Sequence, residues 1–195
     1  MKHLLIVAIA IACCVSNVEA DQITFTAGID FTGEFWDGQD SPNNVADVFD
    51  IAPSAVVTGV GWNVEQSSIG FSWGSEQTFG FGNNEVEVFL SPSATEGPVS
   101  EEANFSEVVS LASVGVDDIF LDADGQLFFE LFETFDDVPN SIDGFWVDGS
   151  TVTFEFNTIP EPTSSLVLIL TVSGMMYRRN KLRPISSHFE TSIER

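Results

Sequence analysis

Short runs of alternating hydrophobic and polar residues recur along the middle of the chain, between residues 21 and 158. The clearest is TVTFEF at residues 151–156, which alternates strictly, as a half-buried strand does. Further runs rich in β-branched or aromatic residues lie at 23–26, 31–36, 55–64, 69–73, 78–81, 85–90, 110–116, 127–133 and 145–147. Because glycine, proline, asparagine and aspartate separate these runs, the pattern predicts an all-β body, an antiparallel β-sandwich or jelly roll. A weak helical alternative applies at residues 114–120.

Aromatic side chains dominate the hydrophobic positions of this body. Of the 18 Phe and 4 Trp residues, only Phe189 lies outside residues 21–159. Each aromatic side chain buries a large apolar area, so we expect most of them to pack between two sheets. The alternative is that exposed tryptophans form a platform on which sugars stack. The candidates are Trp36, Trp62, Trp73 and Trp146.

The N-terminal 20 residues have a different pattern. Lys2 is followed by an apolar run at residues 4–12 and by Val-Glu-Ala at residues 18–20. This order predicts a signal peptide that signal peptidase removes, leaving Asp21 as the first residue of the mature protein. An alternative makes Cys13 a lipidated cysteine. Since Cys13 and Cys14 are the 2 cysteines of the chain, the mature body has no disulfide.

The C-terminal region has three consecutive parts. A proline-flanked triplet comes first, then an apolar run at residues 166–177, then a basic cluster. The prolines favour extended backbone, and the 15 uncharged residues at 163–177 would form a helix of roughly 22 Å. That length predicts a short transmembrane helix whose basic end faces the cytoplasm. The triplet is Pro160, Glu161 and Pro162, and the cluster is Arg178, Arg179, Lys181 and Arg183.

This three-part tail resembles the PEP-CTERM sorting signal of exported bacterial proteins. The resemblance implies that the tail holds the protein in the inner membrane until an exosortase cleaves near the triplet and passes the body to the cell surface or extracellular matrix. Body residues 57–74 and 127–156 are similar to uncharacterised proteins of this type, which implies an autonomous β-sandwich but no activity. One departure is the polar extension at residues 184–195, because the family's basic cluster normally ends the chain. The alternative for residues 166–177 is a buried helix of a soluble domain.

These patterns divide the chain into four segments. We predict a signal peptide at 1–20, an acidic β-sandwich domain at 21–158, the sorting signal at 159–183 and the polar extension at 184–195.

Charge is segregated between the body and the ends. All 6 Lys and Arg residues lie outside residues 21–159. The acids show the reverse, since 26 of the 30 lie inside and the exceptions are Glu19, Glu161, Glu190 and Glu194. The body therefore contains no salt bridge, and its carboxylates repel one another. Nucleic acid is excluded as a partner because the body has no cation to contact phosphates. Calcium or magnesium is the expected counter-ion of such an exported protein.

The residue inventory also limits the chemistry of the body. Residues 21–159 contain no His, Cys, Lys, Arg, Tyr or Met. This excludes the Ser-His-Asp and Cys-His nucleophiles, histidine zinc sites and Schiff-base lysines. A glycoside hydrolase with two carboxylates is compatible with the inventory, but no pair of acids is marked out. We therefore predict that the body is not an enzyme.

Clustered aspartates predict a calcium site, because Ca²⁺ prefers carboxylate oxygens. An EF-hand loop does not fit, since its first and twelfth positions would be Phe120 and Leu131. The alternative is a tight turn in which Gly125 takes a positive φ. The predicted ligands are Asp117, Asp118, Asp122 and Asp124.

The sequence thus predicts an exported, transiently anchored protein with a structural or adhesive body. The alternatives are a carbohydrate-binding module that holds extracellular polysaccharide and, less favoured, the two-carboxylate hydrolase.

Overall fold

The computed structural model describes residues 20–158. The predicted signal peptide up to residue 19 and the predicted sorting signal from residue 159 lie outside this part. The described chain forms eleven β-strands and two short 3₁₀ turns, with no α-helix among its elements. The strands are β1 Asp21–Thr26, β2 Glu34–Phe35, β3 Ala46–Asp50, β4 Val56–Ser68, β5 Gln77–Gly82, β6 Val88–Leu90, β7 Glu102–Ser110, β8 Ile119–Phe120, β9 Gln126–Glu133, β10 Gly144–Trp146 and β11 Thr151–Asn157. The 3₁₀ turns are Gly74–Glu76 and Leu111–Val114.

A seven-stranded antiparallel sheet is built around β4, the longest strand. On one edge of β4, β11 and β10 pair in succession, and they are extended by β1 and β2 respectively. On the other edge, β7 and β8 pair with β4. Asn63 shows the arrangement, because it is the register partner of both Thr151 in β11 and Phe105 in β7.

The second sheet has four antiparallel strands in the order β3-β9-β5-β6. Its inner face supplies Phe79, Phe81 and Phe129, each at most 1% exposed. These rings meet rings of the larger sheet: Phe79 lies 5.6 Å from Trp146 and Phe81 lies 5.0 Å from Phe154, both edge to face. The predicted all-β antiparallel body with an aromatic core is confirmed.

Two strand predictions are wrong in detail. Residues 69–73 alternate but form a turn, in which Gly70 has a φ of 70°. Residues 111–114, inside the predicted strand at 110–116, form a 3₁₀ turn that ends at Gly115 with a φ of 81°. The strand in this region is β7, which the sequence patterns did not predict, and they did not predict β3 either. The burial of β7 alternates only between half-buried and exposed positions, so β7 has no apolar period to detect.

Both ends of the described chain leave the body side by side. Asp21 at the start of β1 is the register partner of Phe156 near the end of β11. The loops at residues 69–73 and 134–143 lie at the opposite end of β4, because Gly144 pairs with Ser68 there. The chain ends and these loops therefore mark opposite ends of the body.

Candidate functional site

A pair of buried carboxyl groups lies between the two sheets. Glu133 ends β9 on the inner face of the smaller sheet, and Asp143 immediately precedes β10 of the larger sheet. The two side chains are 1% and 2% exposed, and they lie close enough for the charge of Asp143 to raise the pKa of Glu133. Burying two negative charges near each other is costly, which favours the protonated form of at least one of the two groups. The Ser72 hydroxyl also donates to Oε1 of Glu133.

The protonation of this pair follows from its surroundings. Burial raises the pKa of Glu133 to about 8, and the negative charges of Asp143 and Glu76 act in the same direction, while the Ser72 hydrogen bond opposes them. Burial also raises the pKa of Asp143 to about 6, helped by the charge of Asp136. At neutral pH Glu133 is therefore protonated, and the pair carries at most one negative charge.

A second network of carboxylates joins neighbouring loops beside this pair. Asp37 accepts hydrogen bonds from Asn43 Nδ2 at 2.7 Å and from the Asn140 backbone N–H at 2.7 Å, and the bond from Asn43 is the main reason that the pKa of Asp37 is lowered. Glu130 accepts from Asn44 Nδ2 at 2.7 Å, yet burial dominates and raises its pKa. Amides thus replace the cations that the body lacks.

The buried pair lies away from the two grooves of the described body. A two-carboxylate hydrolase holds its carboxyl groups around the scissile bond of a bound substrate. Glu133 and Asp143 are buried between the sheets, and neither lines either of the two grooves described below. The predicted absence of enzymatic activity stays a prediction.

Exposed apolar side chains lie in the two loops at this end of the body, at residues 69–73 and 134–143. Ser72, which donates to Glu133, lies between two exposed aromatic residues in the sequence, and Thr134, next to Glu133, donates its N–H to the Glu76 carbonyl. We call these exposed side chains the apolar tip. It comprises Ile69, Phe71, Trp73, Phe135 and Val138, which are 42% to 80% exposed.

A shallow groove crosses the outer face of the larger sheet and encloses about 570 Å³. Strands β1, β11, β4 and β7 form its floor, where Gly61 is buried beneath β7, its absent Cβ position lying 2.7 Å from the Val108 nitrogen. Phe105, on its β7 rim, is 70% exposed. The polar lining includes Gln22, Thr24, Asn63, Thr151 and Thr153. A smaller groove of about 210 Å³ lies beside residues 147–150.

The tryptophans do not form an exposed pair. Trp146 is 2% exposed and packs in the core, and Trp62 packs edge to face on Phe79. Trp36 is half-buried and donates its Nε1–H to Glu34 at 3.1 Å. Trp73 alone is exposed, at 42%. Trp62 and Phe105 both line the larger groove, and Phe105, which the sequence patterns did not single out, is the more exposed of the two.

The aspartates predicted to bind calcium are all exposed. Gly125 has a φ of 72° and its N–H donates to the Asp122 carbonyl at 3.0 Å, so residues 122–125 form the tight turn of the alternative interpretation. Within residues 20–158, no three His, Cys, Asp or Glu side chains are arranged to hold a metal ion. Calcium binding at Asp117, Asp118, Asp122 and Asp124 stays a prediction.

The sorting motif and the basic cluster, at residues 160–162 and 178–183, lie outside the described residues. Across residues 20–158, none of the helical segments has the length and apolar character required to traverse a bilayer.

No family model matches the chain, and no curated protein matches it. Among solved structures, the chain is similar to a chain of the T13 IBDV viral particle. The two are 15% identical, the match covers 77% of this chain and 42% of that chain, and the TM-score is 0.24. This chain thus corresponds to less than half of the viral chain's length, and at this TM-score the likeness carries no argument about fold or function.

Proposed function

We propose that this protein is exported, held transiently in the inner membrane by its C-terminal segment and delivered to the cell surface or extracellular matrix, where its β-sandwich body has a structural or adhesive role. The signal peptide at 1–20, the short transmembrane helix and exosortase cleavage at Pro160, Glu161 and Pro162 belong to this proposal. Calcium bound at Asp117, Asp118, Asp122 and Asp124 is part of it as well.

The observation that carries the proposal is the placement of the two chain ends. Asp21 and Phe156 are register partners, so the segments that precede and follow the body attach to the same end. A body attached at one end presents its other end to the surroundings. That free end carries the apolar tip, whose exposed aromatic side chains are suited to contact a surface.

The charge distribution supports the same role. With no Lys or Arg in residues 21–159, the body is repelled by anionic lipid and by nucleic acid. It is therefore suited to stand away from the membrane that its tail crosses.

The test compares the wild-type protein with a Pro160→Ala, Pro162→Ala variant in a bacterium that has an exosortase. We expect intact-mass measurement of the wild-type surface form to show that residues 1–20 and the basic cluster are absent. We expect the variant to stay in the inner-membrane fraction with Arg195 still attached. Matched control substitutions, Pro92→Ala and Pro98→Ala, lie in a loop of the body and should leave sorting unchanged. A wild-type surface form that retains Arg195, or an intact chain in the cytoplasm, would contradict the proposal.

A further inference from the structure

We infer that the larger groove, on the outer face of the seven-stranded sheet, binds a neutral, hydroxyl-rich polysaccharide through Phe105, Asn63, Thr151 and Thr153. This inference deepens the proposed adhesive role and rests on it, because it names the ligand class that the exported body would hold.

The shape of the groove suits an extended ligand. The groove runs across four adjacent strands, so its floor is about 14 Å wide at the usual strand spacing, and the open space above it is about 570 Å³. Gly61 lies beside Thr153 in the register of β4 with β11. Because Gly61 has no side chain, the backbone of β7 packs closely against it and forms that side of the groove. An extended chain of a few sugar units fits along such a surface.

The chemistry of the groove lining matches a sugar. Thr24 Oγ1 and Thr153 Oγ1 lie 2.8 Å apart and hydrogen-bond to each other, which fixes two hydroxyl groups on the groove. Among the hydrogen bonds of residues 20–158, none uses the side chains of Asn63 or Thr151, so their donors and acceptors face solvent. Hydroxyl and amide groups that both donate and accept match the hydroxyl groups of a sugar.

Phe105 is placed where a sugar ring could stack on it. A single exposed aromatic side chain is ordinary on a protein surface. Phe105, however, is the register partner of Asn63 and stands at the rim of a groove whose other lining is mostly polar. Its ring offers the apolar face on which a pyranose ring stacks, while the neighbouring amide reaches the ring hydroxyls.

Charge selects a neutral polymer. The lining contains one carboxylate, Glu107, and no cation, and Glu155 lies next to Gln22, accepting its amide hydrogen at 3.2 Å. A uronate- or phosphate-rich polymer would be repelled here. A second copy of this acidic chain would be repelled as well. With one carboxylate, the groove also lacks the pair that glycoside cleavage needs, which makes it a site for holding and not for cutting.

The test is a binding assay on the purified full-length protein with swollen cellulose and mannan as neutral polymers and alginate as an anionic one. We expect the protein to be retained on a neutral polymer and not on alginate. Retention on the neutral polymer should persist in about 0.5 M NaCl, which is several times physiological ionic strength. Phe105→Ala should weaken binding about tenfold, as loss of a central aromatic contact does. Asn63→Ala, a second exposed position, should also weaken it.

The matched control is Phe120→Ala, since Phe120 is 67% exposed and its strand also pairs with β4, but it does not line the groove. Its binding should equal that of the wild type, and circular dichroism should show that all variants are folded. Three results would overturn the inference: no retention on either neutral polymer, preference for alginate, or equal loss in Phe105→Ala and Phe120→Ala. A correctly sorted protein that binds neither neutral polymer would overturn the groove assignment alone, whereas binding by a protein that is not sorted would leave the groove intact and contradict the proposed function.

Discussion

Glu133 and Asp143 are both buried where the two sheets meet, and the charge of Asp143 raises the pKa of Glu133. Glu133 ends β9 of the smaller sheet and Asp143 precedes β10 of the larger sheet, at the loop end of the body, where the Ser72 hydroxyl donates to the Glu133 carboxyl. In a body without Lys or Arg, protonation and not ion pairing removes the charge of a buried carboxyl group.

The stability of the protein should therefore fall as the pH rises. Both carboxyl groups have a folded-state pKa above the unfolded value, so the folded protein binds more protons and its advantage is complete only at acidic pH. The loss extends from about pH 4.5 to about pH 8, the value for Glu133. We expect the free energy of unfolding to fall by roughly 5 kcal/mol between pH 5 and pH 9. Urea denaturation at a series of pH values measures it.

Glu133→Gln isolates the pair from the general repulsion among the acids. Its amide oxygen can still accept from Ser72, but the amide cannot ionise, so the variant should match the wild type at pH 5 and be more stable at pH 9. The control is Glu96→Gln, which removes one exposed acid and should leave the slope with pH unchanged. Equal slopes for the wild type and Glu133→Gln would show that the pair is not linked to stability.

The aromatic core should be sensitive to truncation. Phe154 is fully buried, and its ring meets Phe81 at 5.0 Å and Phe49 at 6.5 Å. We expect Phe154→Ala to lower the free energy of unfolding by about 3–5 kcal/mol, through lost contacts and the cavity that remains. Phe120→Ala, at an exposed position, should change it by less than about 0.5 kcal/mol. Chemical denaturation compares the two, and similar losses would contradict the burial assigned here.

Calcium should stabilise the protein if the four aspartates bind it. A site with a Kd near 1 mM, typical of extracellular modules, would add about 1.4 kcal/mol at tenfold excess of the ion. The measurement compares thermal melts in chelator and in about 10 mM calcium. NaCl is added to match the ionic strength, so that exposed charges are screened equally in both samples.

Variants separate a calcium site from charge screening. Asp117→Asn with Asp118→Asn should abolish most of the calcium effect, whereas Glu85→Gln with Glu96→Gln removes the same charge at other exposed positions and should preserve it. Melting temperatures that are identical in chelator and calcium would reject the site.

Period-two runs were reliable where one face of a strand is buried. Residues 151–156 form β11, whose burial alternates between half-buried and buried positions, as their sequence alternates. The same rule failed at residues 69–73, where Gly70 turns the chain and Ser72 is drawn to Glu133. The rule predicted no strand at β7, because neither face of β7 is fully buried.

The sequence by itself determined the β-rich class, the aromatic core and a body whose acids have no cationic partners, because alternation and composition are local properties of the chain. Only the tertiary structure decided which acids are buried and which aromatic ring is displayed. Glu133 meets Asp143 because two separate sheets stack, and the groove exists because β1, β11, β4 and β7 align residues from Gln22 to Thr153. Such contacts depend on register and stacking between distant segments, which no local pattern encodes.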